Sequence, residues 1–259
     1  MSTAAIAFGG NIGDVKSNYN AARELLESNG VHVVAASSLY ETTPVGSETA
    51  QRYRNAALLV ETSLSPLPCL HLLQSIEQQL GRVRQTHWGD RTVDLDLLLF
   101  GDEVCQTDEL ILPHPACWYR RFVLDPLCEI APKAKHPIAR KSVQDLQIGL
   151  LMRPLTCQFL GAVLETRVAL VAHVKRTFGD VVHVLADDAP NSILPFSFPS
   201  PNVSIELPAL SVVVEVGTEQ NVEKNGSTKN PLEENVMTNF CSVVEYALTA
   251  ALDEPHRLA

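Results

Sequence analysis

The chain has 259 residues, a formal net charge of −10 at pH 7, and a composition that is 46% hydrophobic and 19% charged, which is typical of a globular protein with one or two domains. The acidic balance argues against a nucleic-acid-binding protein, and no apolar segment approaches the roughly 20 residues that span a bilayer. The N-terminus lacks the basic start of a signal peptide, and the six cysteines form no CxxC pair, so we expect a cytoplasmic protein with reduced thiols.

The first part of the chain alternates short apolar strands with helices. Residues 3–9 predict a strand, which a glycine-rich loop joins to a helix over 14–28 with Asp14 as its N-cap. VHVVAASSLYET, which is enriched in β-branched residues, predicts a second strand, and YRNAALLVETSL supplies a third.

A second helix is predicted over SPLPCLHLLQSIEQQLGRV, where apolar residues recur at steps of three and four before Gly81. This apolar stripe consists of Leu70, Leu73, Ile76 and Leu80. Glu77 lies at its edge, where a solvated side chain is one interpretation. The strand DLDLLLF follows, and then a proline-rich connector, LPHPACWYRRFVLDPLCEIAP.

The order of elements indicates the fold class. Strands and helices in the order β, α, β, β, α, β predict an α+β sandwich of the ferredoxin-like type. The texture changes at about residue 145, where proline-punctuated and polar segments begin. We therefore expect one domain over residues 1–144, followed over 145–259 by a smaller α/β domain, or an extension packed on the first, of unknown function.

Two carboxylates interrupt the apolar strand DLDLLLF. Side chains alternate along a strand, so Asp94 and Asp96 share one face with their Cα atoms roughly 6.6 Å apart. Two unpaired acids at this spacing repel each other unless a cation neutralises them, and Mg²⁺ prefers such ligands together with phosphate oxygens. The alternative is that both acids face solvent or pair with Arg91 and Arg120.

Cationic side chains are concentrated around these acids, although the chain contains only 20 lysines and arginines. They are Arg82, Arg84, Arg91, His114, Arg120 and Arg121. Arginine binds phosphate oxygens bidentately, so this composition is typical of a phosphoryl-transfer site. Any single arginine of this set is also compatible with a helix end or with surface cover.

Residues 3–137 resemble one enzyme family. The segments FGGNIGD, SSLYETTPVG, YRNAALLVETSL, LGRVR, WGDRTVDLDLLLFGDEV, LPHP and RRFVLDPLCEIAP, in this order, are similar to 6-hydroxymethyl-7,8-dihydropterin pyrophosphokinase. The resemblance implies a diphosphotransferase, 2-amino-4-hydroxy-6-hydroxymethyldihydropteridine diphosphokinase. Such an enzyme moves the β,γ-diphosphate of ATP to the hydroxymethyl group of the pterin and releases AMP, in folate biosynthesis.

The resemblance also implies roles for individual residues. Asp94 and Asp96 match two aspartates that hold a pair of Mg²⁺ ions, and they join Arg82 and Arg91 as the catalytic set. The implied ATP site consists of Gln74, Glu77, Arg82, Arg84, Trp88, Arg91, His114 and Arg120. The implied pterin site consists of Thr42, Val45, Tyr53, Asn55, Asp94 and Phe122.

Metals and arginines would stabilise the charge that develops in an in-line displacement, so no strong protein base is required. Asp96 is the nearest candidate to receive the hydroxyl proton. Small molecules are the expected partners, with neither nucleic acid nor membrane, and the chain is expected to be a monomer or a homodimer.

Three residues depart from the family pattern. His87 stands where an arginine often precedes the tryptophan, Asp90 replaces a proline, and Ala116 replaces an arginine that is common after the HP pair. Each departure reduces positive charge near the phosphates or alters the loop that carries it. We expect weaker ATP binding or altered loop closure. The alternative is a degenerate family member that acts as a pterin- or nucleotide-binding regulatory module.

Overall fold

A computed structural model of the chain describes residues 1–44, 51–82, 91–160, 164–184, 203–204, 211–216, 242 and 244–258. The strands are β1 (Ser2–Gly10), β2 (His32–Ala36), β3 (Tyr40–Thr42), β4 (Tyr53–Thr62), β5 (Asp94–Phe100), β6 (Cys105–Gln106), β7 (Ile111–Leu112), β8 (Leu155–Leu160), β9 (Val182–Val184), β10 (Val203–Ser204), β11 (Ser211–Val216) and β12 (His256–Arg257). The helices are α1 (Val15–Ser28), α2 (Pro66–Gln79), α3 (Arg121–Ile130), α4 (Val143–Leu151) and α5 (Leu164–Phe178), followed by a 3₁₀ turn (Gly179–Val181). Residues 244–252 are also helical.

The chain forms two compact units. The first consists of Met1–Gln147 together with Asp253–Ala259, and the second consists of Ile148–Leu252. The polypeptide therefore leaves the first unit near the expected boundary at residue 144 and returns to it for its last residues. The sequence did not predict this return.

The sheet of the first unit has the order β12-β3-β4-β1-β5, and β2 also pairs with β4. Every pairing in it is antiparallel. Helix α1 follows β1 and helix α2 follows β4. With β2 and β3 counted as one divided strand, this gives the βαββαβ order of a ferredoxin-like fold. The α+β prediction is confirmed.

One face of this sheet packs on α1 and α2. Its core contains Ile6 and Phe8 of β1, Leu58 of β4, and Leu73 and Ile76 of α2, all of which are fully buried. Burying an apolar side chain of this size contributes about 1.5–3 kcal/mol, so this layer supplies much of the stability of the unit. Helix α3 packs against β4 and β1.

Helix α1 begins where the sequence predicts. The Asp14 carboxylate accepts a hydrogen bond from the Ser17 backbone amide at 3.0 Å, which satisfies one of the unpaired donors of the first turn. The buried residues Val15, Tyr19, Ala22 and Leu26 follow the helical repeat. The cap at Asp14 therefore fixes the point where the glycine-rich loop ends and α1 begins.

The predicted second strand is divided into two. The Ala57 backbone amide donates to Ser37 Oγ at 2.8 Å, so a side chain replaces a backbone partner at this position. The pairing register with β4 then shifts by one residue between Ala36 and Tyr40. Such an irregularity, like a β-bulge, breaks a ladder into separate strands.

The proline-rich connector contains a helix, which the sequence reading missed. Helix α3 begins after Arg120 and includes Pro126. Val123, Leu124 and Leu127 are buried, and their spacing of one, three and four residues places them on one helical face. Apolar burial outweighs the loss of one helical hydrogen bond at the proline.

The second unit contains a sheet of order β10-β11-β8-β9, in which β8 is parallel to both β11 and β9. The crossover from β8 to β9 contains α5, as parallel neighbours require. In the helical residues 244–252, Val244, Leu248 and Ala251 are buried at helical spacing. Among the described helices, none combines the length and apolarity that a membrane span requires.

Candidate active site

The two acids of β5 lie on the sheet face opposite α1 and α2. Leu95 and Leu97 are buried in the helix-side core, whereas Asp94 and Asp96 are partly exposed. Alternate side chains of a strand point to opposite faces, so the two carboxylates share one surface. The strand buries its apolar side and presents its acidic side to a candidate site.

Asp94 is bound by two arginines. Arg82 Nη1 lies 2.7 Å from Asp94 Oδ1, and Arg91 Nη1 donates to Asp94 Oδ2. Burial and the neighbouring Asp96 charge raise the pKa of Asp94, while Arg91 and Arg82 oppose this shift. Two of the predicted ATP-binding arginines therefore contact one of the predicted metal ligands.

Glu77 connects Arg82 to the acidic strand. Its side chain is only 3% exposed, so the interpretation of Glu77 as a solvated edge residue is wrong. The carboxylate accepts a hydrogen bond from the Leu95 backbone amide at 2.7 Å and another from Arg82. Burial raises the pKa of Glu77 to about 7. Glu77 therefore fixes the position of Arg82 relative to β5.

The glycine-rich loop after β1 holds the backbone of Arg91. The Arg91 amide donates to Asn11 Oδ1 at 2.7 Å, and the Arg91 carbonyl accepts from the amides of Asn11 at 2.9 Å and Ile12 at 3.2 Å. Sequence reasoning missed Asn11. The only signal was its place in the motif GGNIGD, which the sequence alone assigns to a turn.

Asp96 differs from Asp94 in its contacts. Within the described part of the chain, Asp96 has neither a hydrogen-bond partner nor an ion-pair partner, so both of its oxygens are available to a ligand. The described residues contain no cluster of three or more acidic, histidine or cysteine ligands. Two carboxylates are nevertheless enough for Mg²⁺ when substrate phosphates and water complete its shell. The donor set therefore fits Mg²⁺ in the presence of a phosphorylated substrate.

We call the sheet face that carries Asp94 and Asp96 the site face. A row of directly paired residues from neighbouring strands crosses it. Asn55 of β4 and Asp94 of β5 are both directly opposite Gly9 of β1. Residues opposite each other in antiparallel strands point to the same face, so Asn55 and Asp94 face the same space about 10 Å apart. A Cβ atom at Gly9 would lie 3.1 Å from Asn55 Oδ1. Because glycine has no side chain, space is left above Gly9 between the acids and Asn55, and we call this space the recess.

Thr42 and Asn55 form the far side of this recess. Asn55 Nδ2 donates to Thr42 Oγ1 at 2.8 Å, and both side chains are buried. This bond orients the Asn55 amide and leaves its Oδ1 toward Gly9. Tyr53 lies opposite Thr42 in the β3–β4 pairing, two residues from Asn55, and therefore points to the same face.

His114 is a neutral side chain at the other end of β5. Its backbone amide donates to the Leu98 carbonyl at 2.8 Å, and its Nδ1 accepts from the Ala116 amide at 3.2 Å. Burial and the nearby Arg120 charge lower the pKa of His114 to about 3, against the effect of Asp94. With Nδ1 as an acceptor, the ring carries its proton on Nε2 and can donate a hydrogen bond.

Arg120 and Phe122 lie together at the start of α3. The Arg120 guanidinium lies 5.6 Å from the centroid of the Phe122 ring and 5.9 Å from that of Tyr119, within the range of cation–π contacts. A predicted phosphate ligand and a predicted pterin contact are therefore neighbours.

The remaining predicted residues are placed in part. Gln74 lies on α2, one turn before Glu77. Ala116 is buried and donates its amide to His114, so an arginine side chain at this position would need space that the described packing does not provide. Arg84, Trp88 and Val45 of the predicted sites, and the departures His87 and Asp90, lie outside the described residues.

The arrangement defines a class of protein. Two carboxylates on one face of a ferredoxin-like sheet, two arginines in contact with one of them, and a neutral histidine within electrostatic reach make a candidate site for transfer of a phosphate group from a nucleotide. Comparison with known proteins then identifies the family.

Residues 5–132 match the family described as 7,8-dihydro-6-hydroxymethylpterin-pyrophosphokinase. A Bacillus subtilis relative with the name 2-amino-4-hydroxy-6-hydroxymethyldihydropteridine pyrophosphokinase is 47% identical over 133 residues, which cover 51% of this chain and 80% of the relative. A relative of the same name from Aquifex aeolicus is 35% identical over 157 residues, which cover 61% of this chain and 98% of the relative. The chain belongs to this family.

The solved structures that the chain matches include larger proteins. The Plasmodium falciparum HPPK-DHPS wild type with pteroate is 13% identical, with a TM-score of 0.47 over 77% of this chain and 59% of that chain. A structure described as HPPK-DHPS in complex with substrates is 14% identical, with a TM-score of 0.45 over 56% of this chain and 42% of that chain. This chain therefore spans less than two thirds of either structure.

Proposed function

We infer that the chain is a Mg²⁺-dependent transferase that moves diphosphate from ATP to the hydroxymethyl group of 6-hydroxymethyl-7,8-dihydropterin and releases AMP. This is the reaction of its family, and it belongs to folate biosynthesis. The observation that carries the assignment is the pairing of Arg82 and Arg91 with Asp94, next to Asp96 on one sheet face and within electrostatic reach of His114, in a chain that belongs to this family.

The proposed metal site consists of Asp94 and Asp96. Both carboxylates face the same recess, and Asp96 has both oxygens available within the described residues. Bound Mg²⁺, as two ions in this proposal, supplies neutralising charge for the triphosphate and makes the substrate hydroxyl more acidic. Asp96 accepts the proton of that hydroxyl because it is the acid without an arginine partner in the described part of the chain.

The proposed ATP site is formed by the groups around Asp94. Arg82 and Arg91 exchange their contacts with the carboxylate for contacts with phosphate oxygens, since a guanidinium fork fits both. Arg120 adds a third cation, and neutral His114 donates from Nε2 without adding charge. Gln74, Glu77, Arg84 and Trp88 complete the proposed set. Glu77 acts by holding Arg82.

The pterin occupies the recess above Gly9 in this proposal. Asn55 and Thr42 are a buried hydrogen-bonded pair that can read the polar edge of a heterocycle. Tyr53 and Phe122 supply aromatic surface for the flat ring, and Val45 belongs to the same proposed site. Asp94 lies about 10 Å from Asn55 across the recess, which leaves room for a bicyclic ring between them.

The chemical step is a displacement at the β-phosphorus of ATP. The hydroxymethyl oxygen forms a bond to that phosphorus while the bond from it to the oxygen of the α-phosphate breaks, so AMP leaves. The arginines stabilise the charge that builds on the phosphate oxygens, and the recess holds the two reactants in line. Within the described part of the chain, no side chain other than Asp96 is required to move a proton.

The described residues of this proposed site lie between Gly9 and Phe122, in the first unit. We therefore assign the enzyme to the first unit and assign no step of the reaction to Ile148–Leu252. The proposal includes action on small molecules in the cytoplasm, as a monomer or a homodimer. The degenerate binding module is not favoured, because the matched relatives at 35–47% identity are named as the enzyme.

Product analysis tests the assignment. The full chain, incubated with ATP, Mg²⁺ and the pterin alcohol, is expected to yield the pterin diphosphate and AMP in equal amounts by mass spectrometry. Asp94→Ala and Asp96→Ala are expected to lower kcat on the order of 100-fold or more, because each removes a charge from the centre of the site. Asp102→Ala, an exposed acid just after β5, is the matched control.

Two outcomes would contradict the proposal. Pterin binding without any product would favour the binding module. Unchanged turnover in both aspartate variants would remove the metal assignment while leaving the reaction in place.

A further inference from the structure

The last residues of the chain add an edge strand to the sheet that carries the site. In β12, His256 pairs with Glu41 and Arg257 pairs with Tyr40, antiparallel to β3. The Leu258 amide donates to the Leu39 carbonyl at 2.7 Å and continues the ladder. This edge strand of the first unit therefore lies more than 100 residues further along the chain than the other strands of its sheet.

This edge strand extends the row of paired residues that crosses the candidate site. Arg257 lies opposite Tyr40, Tyr40 lies opposite Asn55, and Asn55 lies opposite Gly9 and its neighbour Asp94. Paired residues in antiparallel strands share a face, so Arg257 lies on the site face, about 19 Å from Asp94 along the row. The tail of the chain and the acidic pair are thus ends of one continuous surface.

Arg257 and Tyr40 meet at one carboxylate, that of Glu129 on α3. Glu129 accepts hydrogen bonds from Tyr40 OH at 2.9 Å, from Ser38 Oγ at 3.1 Å and from Arg257 Nη2 at 2.9 Å. Arg257 Nε also donates to Ser38 Oγ at 2.9 Å. We call these four residues the Glu129 clamp. The clamp joins β12, the start of β3 and the end of α3.

Both elements held by the clamp carry a proposed pterin contact. Thr42 is two residues from Tyr40 on β3 and points to the same face. Phe122 is seven residues before Glu129 on α3, so it lies two helical turns away, about 10 Å, on the same side of the helix. The clamp therefore fixes the distance between the two sides of the proposed pterin site.

A second contact from the tail reaches the same region. Burial raises the pKa of the Asp253 carboxyl, and the Thr43 backbone amide opposes this shift, so the two groups lie close together. Thr43 directly follows Thr42 at the end of β3. Residues of the C-terminal segment therefore lie beside both ends of the strand that carries Thr42.

We propose that Arg257 and Glu129 are positioning residues for the pterin, because they hold β3 and α3 at the separation that places Thr42 and Phe122 around the ring. This inference rests on the proposed function. It assigns the C-terminal strand to the enzyme and leaves the ATP contacts of Arg82, Arg91 and His114 independent of it.

The test compares variants of the full chain. Arg257→Ala is expected to raise the Kd and the KM for the pterin about five-fold, with kcat and the KM for ATP within about two-fold of the unmodified chain. The effect is modest because Arg257 is 62% exposed and Glu129 is 21% exposed. His256→Ala, at the neighbouring exposed position of β12, is the matched control and is expected to change neither constant.

Two further variants separate positioning from general stability. Arg257→Lys keeps the positive charge near Glu129 but replaces the planar guanidinium fork by a single nitrogen, so it is expected to restore part of the pterin affinity. Combining Arg257→Ala with Glu129→Ala is expected to weaken pterin binding by less than the sum of the two separate effects, because each change removes the same Arg257–Glu129 contact. Pterin binding is measured by titration of the pterin fluorescence, and folding is checked by thermal melting.

The outcomes distinguish this inference from the proposed function. An unmodified chain that neither binds nor converts the pterin overturns both. An active chain in which Arg257→Ala leaves the pterin constants within two-fold overturns only the positioning role. Equal increases in the constants for both substrates, together with a lower melting temperature, would also overturn it.

Discussion

Replacing Glu77 by glutamine should make the stability of the first unit less sensitive to pH. Burial raises the pKa of Glu77 from its ordinary value of 4.5 to about 7, although the Leu95 amide and Arg82 favour the charged form. Glutamine has nearly the same shape and keeps an amide oxygen for the Leu95 hydrogen bond. It has no proton to lose, so the cost of ionising this position disappears.

The sign and size of the effect follow from this raised pKa. The folded chain holds the Glu77 proton more strongly than the unfolded chain does, so stability is full below pH 4.5 and falls as the pH rises through about 7. The loss corresponds to about 3 kcal/mol of unfolding free energy. Glu77→Gln should therefore raise the unfolding free energy relative to the unmodified chain at the same pH. This gain should be about 3 kcal/mol larger at pH 8 than at pH 4.5.

Urea unfolding followed by tryptophan fluorescence measures this difference. Both tryptophans, Trp88 and the buried Trp118, belong to the first unit, so the signal reports on that unit. Glu24→Gln, at an exposed position of α1, is the matched control and should show no pH-dependent gain. A stability difference for Glu77→Gln that stays constant from pH 4.5 to 8 would refute the argument that Glu77 is ionised against a burial cost.

Three further substitutions test the geometry of the sheet. Gly9→Ala should weaken pterin binding several-fold with little change in ATP binding, measured by calorimetry, because its Cβ would lie 3.1 Å from Asn55 Oδ1. Gly10→Ala should lower the unfolding free energy by about 1–3 kcal/mol, because its Cβ would lie 2.7 Å from the Thr92 carbonyl oxygen, and an unchanged melting temperature would contradict this. Tyr19→Phe should cost about 1 kcal/mol in urea unfolding at unchanged KM values, because the buried hydroxyl donates to two backbone carbonyls on the helix side.

Local patterns predicted the main elements of the first unit because each element has a period or a boundary of its own. The apolar stripe of α2, the N-cap at Asp14 and the apolar run of β4 are recognised within a few residues, and the order of these elements indicates the ferredoxin-like class. The same locality explains the errors. The division of the second strand depends on Ser37 bonding to β4, a contact between residues far apart in the chain.

The candidate site was predicted in composition but not in arrangement. The acids and arginines were recognisable from residue type and from the resemblance of the segments that carry them. Which arginine pairs with which acid depends on side-chain positions, and Arg82 was brought to Asp94 by the buried Glu77. Asn11 was missed because its role is to bind the backbone of Arg91, which residue type alone does not indicate. Gly9 was missed because its contribution is the space left by an absent side chain.

The sequence by itself indicated the family, through the resemblance of its segments. It also determined the main order of strands and helices up to β5 and the alternation that puts Asp94 and Asp96 on one face, which follow from residue type and from periods of two and 3.6 residues. Only the tertiary structure decided that Glu77 is buried and that the C-terminal strand returns to pair with β3. Both depend on pairing between segments separated by long stretches of chain, where the energy of contact is set by burial and register rather than by local preference.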